Sequence, residues 1–252
     1  MRARYGQNFL VDLKWQKKIV DSFKPKGEFA EIGPGKGAIT KHLKKLYPKF
    51  SLFEIDPQFA EIHQPQADQY PFYQMSFLDW DFCLEGRPVD KFSLVGNLPY
   101  ESATAMMVRV AEHSEQVEHF VFLIQREVAE RVSASPGTSA FGSLSVLMQI
   151  SYEIRLGSMI PPGAFRPAPK VDSQIIVGWR RESSLKFDSA FNDFVKLSFL
   201  FKRKRLRFAL RKSFSDTQIK NLYDHMSWSE NIRAEEIAPA DWAKAYEVLK
   251  NV

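Results

Sequence analysis

The stretch EFAEIGPGKGAIT, residues 28–40, decides the fold. Glu28 to Ile32 read as a short buried strand. Gly33, Gly35 and Gly37 follow, separated by Pro34 and Lys36, and from Ala38 to Leu46 the apolar spacing is helical. Glycine lets a backbone turn sharply and approach a ligand closely, and a helix N-terminus adds a positive dipole. A strand that turns through glycines into a helix is the opening unit of a parallel α/β sheet.

The rest of the chain extends that unit. Before it, Leu13, Ile19, Val20 and Phe23 mark a helix that Pro25 and Gly27 end. After it come strand candidates at 50–56, within 70–76, and from Phe92 to Val95, then an apolar run at 119–124. Strands alternating with helices predict a mostly parallel sheet covered on both faces. Residues 160–171 hold four prolines, which predicts a long loop entering an edge strand over Asp172 to Trp179. Beyond about residue 185 the pattern is helical throughout. The expected division is an α/β domain at 1–184 and a small all-helical domain at 185–252, within reach of a chain of 252 residues.

Composition narrows the setting. The formal net charge is +5, which fits a nucleic-acid partner without demanding one. Cys83 is the single cysteine, so no internal disulfide is possible and a reducing, cytoplasmic compartment is expected. The five histidines are scattered and predict no metal site. MRARYGQNFLVD carries no secretory signal pattern, and nowhere do about 18 apolar residues run together, so no membrane span is expected.

Gly33-x-Gly35-x-x-Ala38 satisfies a nucleotide-binding fingerprint, and Glu54 follows about 20 residues on, after the second strand, where an acid can hold a ribose hydroxyl pair. Glu31, two residues before the first glycine, sits badly beside a pyrophosphate because like charges repel. It suits a cofactor with positive charge and no phosphate. S-adenosylmethionine has both properties, so it is favoured over NAD, without excluding it.

At the end of the fourth strand stands Asn97-Leu98-Pro99-Tyr100. Ligands of open α/β sheets bind outside the strands' carboxyl ends. Pro99 biases Leu98 to extended backbone, aiming its carbonyl outward beside the Asn97 side-chain oxygen. Two acceptors then converge where Tyr100 offers a flat face to a base. Such a pair grips the hydrogens of a purine's exocyclic amine, frees its lone pair, and stabilises positive charge developing on nitrogen.

Asn-Leu-Pro-Tyr after a Glu-Ile-Gly-Pro-Gly loop resembles the ribosomal RNA small-subunit adenine dimethyltransferase family. GQNFLVD (6–12), QREVAERV (125–132), FGSLSVLMQ (141–149), PPGAFRPAPKVDS (161–173) and IRAEEIAPADWAKA near the C-terminus resemble its other motifs, in the same order. The resemblance implies a Rossmann-like methyltransferase fold with a small C-terminal helical domain and S-adenosylmethionine as donor. It also implies two adjacent adenines in a hairpin near the 3′ end of small-subunit (16S) rRNA as acceptors, each dimethylated on N6 late in assembly. It implies cofactor contacts from Asn8, Leu10, Gly33, Gly35, Glu54 and Phe77, with Asn97 spanning donor and target. One departure stands out. The family's Asp after the third strand aligns with Ser76, so either Ser76 supplies a neutral hydrogen bond or Asp79 reaches back.

A target adenine in a loop must be unstacked. Tyr100 is one stacking face; Phe165 is either the other or a loop aromatic closing on the core. Arg166 and Lys170 flank it and could meet phosphates. At 202–212, KRKRLRFALRK, seven of eleven residues are basic, and Leu206, Ala209 and Leu210 form an apolar stripe. A helix with a basic face is expected, presenting Lys202, Arg203, Lys204, Arg205, Arg207 and Arg211 to RNA. A monomer is the default. Three other readings remain open: a DNA adenine methyltransferase, a non-catalytic assembly or transcription factor on the same fold, and, from the glycines alone, an NAD-dependent oxidoreductase.

Overall fold

The computed structural model describes residues 7–182 and 189–250. In chain order the elements are β1 (Phe9–Leu10), α1 (Leu13–Ser22), β2 (Phe29–Ile32), α2 (Thr40–Leu46), β3 (Ser51–Glu54), α3 (Ala60–His63) and β4 (Phe72–Gln74). There follow β5 (Cys83–Leu84), β6 (Arg87–Pro88), β7 (Phe92–Asn97), α4 (Ala103–Glu112), β8 (Val117–Gln125), α5 (Arg126–Ser133) and α6 (Ser143–Ser151). Last come β9 (Tyr152–Ile160), β10 (Phe165–Arg166), β11 (Ser173–Arg180), α7 (Ser189–Ser198), α8 (Leu206–Leu210), α9 (Asp216–Met226) and α10 (Pro239–Lys250).

Seven strands form the main sheet in the order β4-β3-β2-β7-β8-β11-β9. The first five are mutually parallel, whereas β11 runs antiparallel to both β8 and β9. Strand order reverses between β2 and β7, the topological switch point at which such sheets bind ligands. The expected edge strand after the proline-rich loop lies one place inward. β11 is flanked on both sides, and β9 forms the edge instead. The β-branched run Ile175-Ile176-Val177 of β11 is buried and needs cover from both neighbours, which a solvent-facing edge cannot give.

Alternate residues of each strand enter two separate cores. On β8, Phe120, Phe122 and Ile124 join one buried cluster, while Val121 and Leu123 join the other. This is the period-2 alternation of a sheet covered on both faces. The smaller cluster packs α1 and α2 through Ile19, Val20, Ile39 and Leu43. The larger one packs α4, α5 and α6, and continues without a break into Phe191, Phe194, Leu206, Leu222 and Trp242 of the C-terminal helices. The expected domain boundary at 184/185 lies outside the described residues.

One close approach fixes the sheet's centre. A side chain on Gly96 of β7 would place its Cβ 2.4 Å from the Ile32 carbonyl oxygen of β2. Among the described residues, no helix is long and apolar enough to cross a membrane.

Candidate active site

The carboxyl ends of β2, β3 and β7 and the turn after β4 open onto one cavity of about 270 Å³. Its walls include Asn8 and Leu10, Gly33 and Gly35, Glu31 and Glu54, Ser76 and Phe77, and Asn97 to Tyr100. The sequence-predicted cofactor residues therefore share one space, although they are drawn from five separate segments.

The glycine turn is held at Gly35 from two sides. Gly33 and Gly35 have φ of +65° and +50°, conformations that side chains rarely adopt. The Gly33 N–H donates to the Phe53 carbonyl (2.8 Å). The Gly35 N–H donates to Glu54 Oε2 (2.9 Å), and Glu54 Oε1 accepts from the Asp56 N–H (2.9 Å). The Gly35 carbonyl in turn accepts from the ring Nε2 of His63 (2.9 Å). Burial pushes the His63 pKa down, favouring the neutral ring. Glu54 is thus a clamp on the loop as well as a wall of the cavity, and burial raises its pKa. Sequence reading gave it only the ribose. His63 was not found at all, since nothing near it in sequence links it to a glycine 28 positions away. The turn also delays the helix: α2 begins at Thr40, two residues later than expected.

Glu31 lies at the floor of the site, 1% exposed. Its Oε2 has no hydrogen-bond partner among the described residues. Burial is the main reason its pKa is pushed up to about 8. The sign of the consequence is fixed. The folded chain holds a proton on Glu31 between the ordinary value of 4.5 and about 8, where the unfolded chain has lost it, so stability falls as pH rises through that window. Thermal melting of the free protein from pH 5 to 8 should decline more steeply than that of Glu31→Gln; equal slopes would count against a buried, protonated Glu31. A cationic, phosphate-free ligand can displace the Glu31 proton and pair with the carboxylate left behind, whereas a pyrophosphate gains no countercharge from the protonated acid and meets repulsion from the ionised one. The cavity therefore fits S-adenosylmethionine better than NAD.

The corner at the end of β7 is built by four contacts. Leu98, 1% exposed, donates its N–H to the Leu123 carbonyl (3.0 Å). The Pro99 carbonyl accepts from the Ala103 N–H (2.9 Å), which starts α4. The Tyr100 hydroxyl meets Ser173 Oγ on β11, anchoring the ring. The Asn97 side chain donates through Nδ2 to the Asn8 carbonyl (2.9 Å). An amide can donate only from nitrogen, so this bond orients the whole group and assigns Oδ1 to the opposite side.

Other expected residues are placed differently. Ser76 Oγ accepts from the Leu78 N–H (3.1 Å), capping a short turn that begins at Phe77. Asp79 is exposed and does not line the cavity, so it does not reach back. Phe165 corrects the stacking expectation. Its ring is fully buried in the smaller core, opposite Leu10 in the β1–β10 pair, and is not part of the cavity wall. The apolar ring completes the core where the ribbon crosses it, which exposure would undo. Arg166 folds back to donate to the Phe165 carbonyl (2.8 Å), and Lys170 is exposed.

The basic segment is not one helix. Only Leu206–Leu210 is helical, after a turn at 201–204, although Leu206, Ala209 and Leu210 are buried as the stripe predicted. Its cations divide. Arg207 pairs with Glu230, Arg211 with Asp216 (2.9 Å), and Lys202 with Glu235 (3.9 Å). Arg203, Lys204 and Arg205 are exposed and make no ion pair among the described residues.

The strand order, the glycine turn and the cavity at the switch point define a class I, Rossmann-like methyltransferase fold. A crystal structure of a dimethyladenosine transferase from Plasmodium falciparum shares it, with a TM-score of 0.81 at 20% identity, over 96% of this chain and 98% of that one. Sequence comparison goes further. The family described as ribosomal RNA adenine dimethylase matches residues 1–251, and this chain belongs to it. Similar curated relatives include ribosomal RNA small subunit methyltransferase A of Cupriavidus taiwanensis (34% identical, 96% of this chain and 91% of the relative). The protein of the same name from Aromatoleum aromaticum is 36% identical over the same shares.

Proposed function

We propose that this chain carries methyl groups from S-adenosylmethionine to N6 of two adjacent adenines in a hairpin near the 3′ end of small-subunit (16S) rRNA, twice on each, late in subunit assembly. The observation that carries this reading is the orientation of Asn97. With Nδ2 bonded to the Asn8 carbonyl, Asn97 keeps Oδ1 as its free-facing acceptor, and Leu98, which lines the same cavity, would supply the second through its carbonyl. Together they take the two hydrogens of an exocyclic amine. The amine nitrogen, relieved of conjugation with its ring, turns its lone pair outward. Fixed acceptors stabilise the positive charge that grows on it without reorganising, so no general base of shifted pKa is needed. Tyr100, held at its hydroxyl, supports the unstacked base.

S-adenosylmethionine, when bound, supplies an electrophilic methyl on a sulfonium. Glu31, Gly33 and Gly35 would face its charged end, Glu54 its ribose, and Ser76 with the Phe77 backbone its purine; Asn8 and Leu10 would cover it. The chain works as a monomer in the cytoplasm, with its C-terminal helices docking on the subunit. The deciding assay offers radiolabelled donor with under-methylated small subunits, mature small subunits and duplex DNA. Label is expected on the first alone, mapping to two adjacent adenines. Label on DNA, or on none of the three, would overturn the reading.

Arg203 and Arg205, exposed and without an ion pair among the described residues, are the cations through which docking is expected. Replacing both with Ala should weaken subunit binding and flatten its salt dependence, since each lost phosphate contact removes roughly 0.7–0.9 from the log–log slope. Donor affinity, measured by calorimetry, should stay unchanged. An unaltered slope would place docking elsewhere.

A further inference from the structure

Helix α1 buries Gln16, Ile19 and Val20, and the buried Phe23 follows one turn on. Positions 16, 19, 20 and 23 form one helical stripe, so a glutamine occupies a core position among aliphatic and aromatic residues. Gln16 is 2% exposed. Burying an amide is costly unless both ends are bonded. Here both are. Nε2 donates to the Leu10 carbonyl (2.8 Å), and Oε1 receives the ring Nε2 of His42 (3.1 Å). Since Oε1 can only accept, His42 is the donor, and it locks which way the amide faces.

The group that Gln16 holds is the end of a strap. Residues 7–10 cross the cavity as part of its wall. Within the strap, Phe9 lies against Gly35, whose added Cβ would stand 3.2 Å from the ring. Two residues before Leu10, the Asn8 carbonyl accepts the Asn97 amide. A continuous path therefore runs from His42 through Gln16, the Leu10 carbonyl and the strap backbone to Asn97. Leu10 is itself 2% exposed, so without Gln16 its carbonyl would face an apolar helix.

We infer that Gln16 is a positioning residue: by holding the Leu10 carbonyl it fixes the strap whose Asn8 carbonyl sets the orientation of the Asn97 amide. Its effect on turnover rests on the acceptor role given to Asn97 above; its effect on the amide does not. Gln16→Leu keeps the site apolar and filled, so the chain folds, but it removes the donor. Gln16→Glu keeps the size and the acceptor for His42 while removing the same donor.

Two measurements test this. In the free protein, the side-chain NH2 of Asn97 should give two resolved, exchange-protected amide signals by nitrogen-15 NMR. In both Gln16 variants those signals should shift and lose protection. In turnover, each variant should lose on the order of tenfold in kcat, as for one neutral hydrogen bond, with KM for the subunit little changed. Added to Asn97→Ala, Gln16→Leu should cost nothing further, because the group it positions is gone. Unmoved Asn97 signals, or a full second loss on the Asn97→Ala background, would overturn the inference. Should Asn97→Ala keep full activity, the acceptor reading fails, and the NMR result alone decides what Gln16 orients.

Discussion

Asn97→Ala is expected to lower turnover by on the order of a hundredfold or more while the variant still binds the subunit and the methyl donor. The magnitude is that of removing one preorganised partner of a developing charge. Truncation takes away Oδ1, so only the Leu98 carbonyl remains to hold the amine, and the nitrogen lone pair stays conjugated with its ring. Binding survives because the clamped glycine turn and the exposed cations at 203–205 are untouched. Single-turnover methylation with saturating donor, alongside calorimetry for donor binding, separates the two. A variant with full rate would show that the corner at the end of β7 does not act by accepting hydrogen bonds. A variant that lost donor binding in equal measure would move Asn97 from chemistry to cofactor capture.

The second large effect is on stability. Gly96→Ala should destabilise the fold by about 1–3 kcal/mol or more, since the new Cβ meets a backbone carbonyl that cannot swing aside as a flexible side chain can. The Ile32 oxygen would lie 2.4 Å away, inside any real contact distance, so β2 and β7 must separate or slip. Those two strands carry the glycine turn and Asn97, so lost activity should accompany the lost stability. Thermal denaturation followed by circular dichroism should show a drop of several degrees in Tm. Gly163→Ala, at a position with nothing within 4 Å, is the matched control and should melt like the natural chain. Equal melting of both variants would refute the crowding argument.

What sequence reading could see follows from locality. The strand–glycine–helix unit at 28–40 is a local pattern, and it placed the sheet's centre. Gly33, Gly35, Glu54, Ser76 and Asn97 were legible because each lies at or just past the end of a strand, and parallel strands bring their carboxyl ends together, whereas Asn8 and Leu10 came only with the family resemblance. The inner place of β11 was not legible: an apolar run that follows a proline-rich loop looks alike at an edge and one place inward. Phe165 was left between two outcomes because a loop aromatic carries no periodicity, and only the pairing of β10 with β1 shows its ring enclosed. His63 and Gln16 escaped for a further reason. Each acts on a backbone carbonyl, and a carbonyl has no signature in sequence. Gln16 did leave a trace, a polar residue on an otherwise apolar helical stripe, which is a usable signal for a buried contact.

The unbroken core beneath the sheet and the C-terminal helices has its own consequence. Trp242 and Phe194 share an interior with Phe120 and Leu147, so the basic surface cannot swing relative to the cleft without tearing packed side chains apart. If RNA docks through the cations at 203–205 as proposed, the span from anchoring point to reacting corner is a built-in gauge. On that proposal, a strand of RNA whose anchor and loop stand at some other separation would be rejected by distance alone, before any base has been inspected.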